Sequence, residues 1–229
     1  MPAPPPESDP AIVSAAGIPV EFRVMTSRLI VSHASTILDR VSMRAGSASV
    51  WTGVQALSVV FVAVLTASAA QLSFPLPFTP VPFTIQPMIV LIGAAALGSR
   101  LGAFSQILYL TLGVAGLPVF AFSPELPQGF ARLLGPTGGY LMAYPAAAFV
   151  TGLLAERGLD RRYLSSILAM AAGLSVIFAG GVLWLANGVG MSAALAVGLY
   201  PFLIVDVIKI VAAGLVLPSA WKFLRVGSQ

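Results

Sequence analysis

YLSSILAMAAGLSVIFAGGVLWLANG, residues 163–188, contains no charged side chain. About twenty apolar residues at ~1.5 Å rise span the ~30 Å hydrocarbon core of a bilayer, so this stretch is long enough to cross one. ERGLDRR (156–162) stops it on one side. The whole chain reads the same way. Of its 229 residues 58% are hydrophobic and 9% charged, with a mean hydropathy of +0.94. Soluble domains carry roughly 25% charged residues, so the bilayer is the expected solvent.

Outward from this stretch, five more apolar runs follow: 51–72, 85–98, 101–120, 137–155 and 194–217. The expected fold is all-α, a polytopic membrane protein of six transmembrane helices with long structured extracellular loops. Charge orients the helices. Arg23, Arg28, Arg40 and Arg44 precede the first span, Arg100 separates spans two and three, and Arg157, Arg161 and Arg162 separate four and five. Lys222 and Arg225 follow the sixth. With alternating spans these ten of twelve basic residues share one side, which the positive-inside rule makes cytoplasmic. The expected location is the bacterial cytoplasmic (inner) membrane, with both termini inside. Residues 1–50 form a cytoplasmic extension with a proline-rich, disordered start, 51–220 the membrane domain, and 221–229 a cytoplasmic tail. No cleavable signal peptide is expected.

Two breaks fall on the opposite side. SFPLPFTPVPFT (73–84) holds four prolines and must be a structured, non-helical loop. LPVFAFSPELPQGFARLLGPTGGY (117–140) holds four prolines, four glycines, Glu125 and Arg132. Few connections are this long unless they have a function. Thr137 is a candidate N-cap for the span that follows, and that helix N-terminus favours an anion nearby.

Composition narrows the chemistry. No cysteine is present, which removes disulfides, thiolate metal sites and cysteine nucleophiles. His33 stands alone, so no histidine cluster exists to hold a metal. GPTGG (135–139) lacks the GK[ST] ending of a phosphate loop. No cofactor is expected, and scattered basic residues make no nucleic-acid patch. An intramembrane enzyme would need a nucleophile–base pair that this composition hardly provides.

Asp206 and Lys209 are the only charges inside an expected span. Each costs roughly 2.5–3.5 kcal/mol near the bilayer centre, and at i,i+3 they share a helix face. They read either as a mutual ion pair or as the lining of a polar cavity; a plain scaffold explains neither. Arg132 is the one base on the outer side, suited to a carboxylate or to a lipid headgroup. Gln86, Gln106, Tyr109 and Tyr140 are polar groups in or beside spans. Ala63 and Ala67 have the small-xxx-small spacing of a packing face, either internal or for another membrane subunit.

GLPVF (116–120), RLLGPTGGYL (132–141), LPFTPVPFTIQ (76–86) and the late Pro201, Asp206, Lys209 pattern resemble the BioY family. Its members are biotin-specific substrate-binding (S) components of energy-coupling factor (ECF) transporters. The resemblance covers about 52–217; AFSPELPQG (121–129) departs from it. It implies a six-helix protein that captures biotin from outside and is not itself an enzyme. A transmembrane coupling (T) subunit and cytoplasmic ATPase subunits would be its partners, with membrane lipid around it. An S component for another vitamin is the nearest rival. Biotin offers a carboxylate, an apolar body and a ureido ring. Arg132 suits the carboxylate, and Asp206 and Lys209 suit the ureido N–H and carbonyl, although Lys209 could exchange roles with Arg132. Tyr140, Tyr109 and Gln106 complete the expected ligand set. Pro80, Pro82, Gly135 and Pro136 mark loops that could close over it, and Ala63 and Ala67 a docking face for the coupling subunit.

Overall fold

The computed structural model describes residues 36–42, 48–124 and 126–226. Glu125, His33 and most of the expected 1–50 extension lie outside the described residues. The elements are α1 (Ile37–Ser42), α2 (Ala48–Gln71), β1 (Ser73–Leu76), β2 (Thr79–Thr84), α3 (Gln86–Leu97) and α4 (Ser99–Val114). After them come α5 (Ala131–Leu134), α6 (Gly138–Glu156), a 3-10 turn (Leu159–Arg161), α7 (Tyr163–Val189), α8 (Met191–Gly198) and α9 (Tyr200–Val226).

Among the described residues, four helical stretches are long and apolar enough to cross a membrane: Val50–Gln71, Gly138–Glu156, Tyr163–Val189 and Tyr200–Phe223. The two remaining expected spans are shorter. α3 has 12 residues and α4 has 16. The expected third span runs to 120, but the helix ends at Val114 because Gly116 turns the chain at a φ of +96° and Pro118 follows. Gly98, at a φ of +90°, is the whole link between α3 and α4. Ser99 and Arg100 therefore sit in the first turn of α4 rather than closing α3. No local side chain caps α4. Glu156 does so from the end of α6, its Oε1 accepting the Ser99 N–H at 2.7 Å and hydroxyl at 2.9 Å. The expected sixth span is also divided. Leu199 separates α8 from the long α9, and Gly190, at a φ of +81°, ends α7 ahead of both.

The proline-rich loop is a two-stranded antiparallel hairpin, with Ser73 opposite Thr84 and Leu76 opposite Thr79. The all-α expectation is corrected to this extent. A ribbon this narrow has two open edges, where proline does not break a ladder, and Pro75 falls where the register slips between Phe74 and Leu76.

α6 is the central helix, packed on α3, α4 and α7, while α9 packs on α7 and α3. The close crossings use small residues. A Cβ on Gly139 would overlap Trp184, one on Gly180 would meet Ala143, and one on Gly181 would overlap the Tyr140 ring. Ala63 is buried in this core and Ala67 packs on it. The alanine pair is thus an internal packing face, which corrects its assignment to partner docking. α2 and α9 instead turn Leu57, Phe61, Ile204 and Ile208 outward.

Candidate functional site

β2 packs on α8 and α2, and two small cavities lie beneath it. Val81, Pro82, Thr84, Tyr140 and Tyr144 line both. One, of about 50 Å³, continues to Phe178, Phe202, Asp206 and Lys209. The other, of about 40 Å³, continues to Gln86, Ala121, Arg132 and Thr137. Of the expected ligand residues, Arg132 lines one cavity, Asp206 and Lys209 line the other, and Tyr140 lines both.

Asp206 and Lys209 form the ion pair and also line the cavity, so the two readings coexist. Lys209 Nζ donates to Asp206 Oδ1 at 2.6 Å and to the Thr84 carbonyl at 2.6 Å, and it stands 3.8 Å from the centre of the Phe83 ring. α9 thereby holds the base of the hairpin as well as the cavity's charged wall.

Arg132 is 1% exposed, which overturns the lipid-headgroup reading. Its Nη2 donates to the Ala121 carbonyl at 2.7 Å, and its Nη1 reaches the Leu126 and Pro127 carbonyls at 3.4 Å each. The fork therefore pins the 121–127 loop. What remains is Nε, buried without a partner. Burial pushes the guanidinium below its ordinary value, with Tyr109 acting against that shift. Thr137 occupies the N-cap position of α6 but makes no side-chain cap, and its hydroxyl is buried and unpartnered too. Two orphan donors thus sit at one small cavity. Buried polar groups in folded proteins are normally paired, so these two are suited to an acceptor from outside the chain.

Tyr140 donates to the Gly198 carbonyl at 2.7 Å. Tyr109 is fully buried and stands behind the site: it receives a hydrogen bond from Gln86 Nε2 at 2.8 Å and donates to the Val119 carbonyl at 3.3 Å. Gln106 faces α2, donating to Thr66 at 3.3 Å and to Ser105 at 3.1 Å. It is a helix-packing residue, so Gln86 and not Gln106 supplies the cavity's amide. The sequence reading missed Thr137 and Tyr144 as cavity groups. Tyr144 lies four residues beyond Tyr140, on the same helix face, and that spacing was the available signal.

Of the four loop markers, Pro82 roofs both cavities. Pro80 lines a separate hollow of about 290 Å³ between the hairpin and Ser123–Pro124. Gly135 and Pro136 lie elsewhere, beside a hollow of about 450 Å³ against α7, where Trp184 Nε1 donates to the Gly135 carbonyl at 3.0 Å.

The BioY family model matches residues 42–226. A Pyrococcus horikoshii protein named probable biotin transporter BioY is 42% identical over 157 residues, 69% of this chain and 89% of the relative. The biotin transporter BioY of Thermotoga maritima is 41% identical over 142 residues, 62% of this chain and 81% of its own. Among solved structures, the S-component for biotin from an ECF-type ABC transporter shares the fold, with a TM-score of 0.66 and 24% identity over 73% of this chain and 90% of that one.

Proposed function

This chain belongs to the BioY family, and from that premise we propose that it is a membrane-embedded substrate-binding subunit that captures biotin for uptake. The carrying observation is the pair of cavities under β2, polar at opposite ends and apolar between. Asp206 and Lys209 stand at one end, the unpartnered Arg132 Nε and Thr137 hydroxyl at the other, with Tyr140 and Tyr144 between. Biotin has the same order of groups. Its ureido N–H groups and carbonyl match Asp206 and Lys209, its rings and tail match the aromatic wall, and its carboxylate matches two donors beside a helix N-terminus.

The cavities are far smaller than the ~300 Å³ at which small-molecule pockets begin. Entry therefore requires β2 to lift, which makes the hairpin a lid. The reading includes six membrane crossings, with the short helices α3 and α4 as the second and third. It puts the hairpin outside, and both termini and the 156–162 turn in the cytoplasm, because ten of twelve basic residues fall on that side. A T subunit and ATPase subunits supply the energy, and biotin binding itself needs no nucleotide. The test is calorimetric titration of the purified protein in nanodiscs. Biotin is expected to bind without ATP; binding of another vitamin in its place would overturn the specificity.

A further inference from the structure

Resting on the lid reading above, we propose that the Thr79 hydroxyl is the latch of the hairpin and that it controls how fast ligand enters and leaves. β2 is held at both ends. Its base runs into α3 and is gripped by Lys209 at the Thr84 carbonyl, 2.6 Å away, so this end is the hinge. Its far end is held by Thr79, which is 8% exposed and donates to the Val197 carbonyl at 2.6 Å. The same oxygen accepts the Val81 N–H at 3.1 Å. One hydroxyl therefore ties α8 to the strand residue that roofs both cavities.

The sequence explains why Val197 offers an acceptor. In a continuous helix its carbonyl would receive the N–H four residues on, but that residue is Pro201, which has none. The next carbonyl, Gly198, receives the Tyr140 hydroxyl at 2.7 Å. Lid tip and cavity wall thus hang on consecutive carbonyls at the end of α8. Thr79 is a positioning residue, acting on the ligand through Val81 and the strand that carries it.

The chain has no cysteine, so a spin-label pair at Phe78→Cys and Val189→Cys, both on exposed positions, reads the lid with no background. Thr79→Val keeps the shape and removes the hydroxyl. It is expected to lengthen and broaden the label distance in the ligand-free protein, and to speed biotin release about five-fold, the effect of one hydrogen bond. Thr79→Ser is expected to restore both. Normal biotin binding with unchanged distance and release in Thr79→Val would overturn the latch. A wild type that binds no biotin, while Thr79→Val still opens the label pair, would support the latch and remove the biotin reading.

Discussion

Arg132 shows how one side chain can serve two neighbours. Its fork closes a loop on carbonyls of Ala121, Leu126 and Pro127, and its Nε is left for the cavity. A lysine has charge but no planar fork. Arg132→Lys is therefore expected to weaken biotin binding nearly as much as Arg132→Ala, each by about 2 kcal/mol or more, the scale of a buried charged partner. Asp206→Asn is expected to cost about as much, because it also unpairs Lys209; titration of the three variants checks this. Asp160 gives a pH test away from the site. It is fully buried, accepts from Trp221 Nε1, and has Oδ1 unpartnered. Burial raises its carboxyl above the ordinary 3.8, against the opposing pull of Trp221 and Arg161. A carboxyl raised on folding stabilises fully below its unfolded value, and that stability is lost as pH rises through the folded one. Asp160→Asn keeps an acceptor for Trp221 and drops the buried charge. In melts from pH 3.5 to 7 it is expected to match or exceed wild type at pH 7, with the gain vanishing at the acid end. Asp206 and Lys209 were legible in the sequence because a charge in an apolar run needs a reason. Thr137 was not, since nothing local separates a cavity hydroxyl from one bonded within its helix, as Ser175 is to Ala171.

At the scale of elements, the glycines of α6 and α7 decide how closely the central helices meet. Gly180 faces Ala143 and the Gly139 carbonyl, and Gly181 receives the Tyr140 ring. Gly180→Leu is expected to force these helices apart at about 1–3 kcal/mol or more, lowering the melting temperature and displacing Tyr140. Gly188→Leu on the same helix meets nothing within 4 Å and is expected to leave the melt nearly unchanged. A comparable loss in both would overturn the packing account, because helix propensity alone favours Leu over Gly at both positions. The long apolar runs were readable as helices from length and composition. Their ends were not: Gly98 and Gly190 break the chain at single residues, and the Gly98 break is capped by Glu156, far away in sequence. The hairpin was hidden for a related reason. Four prolines in twelve residues exclude helix, but strand pairing depends on Ser73 meeting Thr84, which no local pattern specifies.

For the whole molecule, the proposed biotin uptake depends on one end of the bundle opening while the rest stays packed. The opposite end is well tied: Arg161 lies 5.1 Å from the Trp221 ring centre, Lys222 donates to Tyr163 at 3.0 Å, and Glu156 caps α4. The short pair α3 and α4 has another effect. At ~1.5 Å per residue their 12 and 16 residues reach only ~18 and ~24 Å, whereas α7, with 27, reaches ~40 Å. α4 nevertheless turns Phe104 and Ile107 outward. In the proposed topology with six crossings this flank is the thinner one, and the surrounding lipid would have to thin to meet it or leave apolar surface wet. Thermal stability in nanodiscs of graded acyl length is expected to be highest at chains shorter than those matching ~30 Å. A protein with such a wedge-shaped girdle deforms its own bilayer unevenly. The deformation energy would be relieved by tilting or by a neighbour that covers the short flank, so membrane thickness becomes a variable that acts on the orientation of the whole subunit.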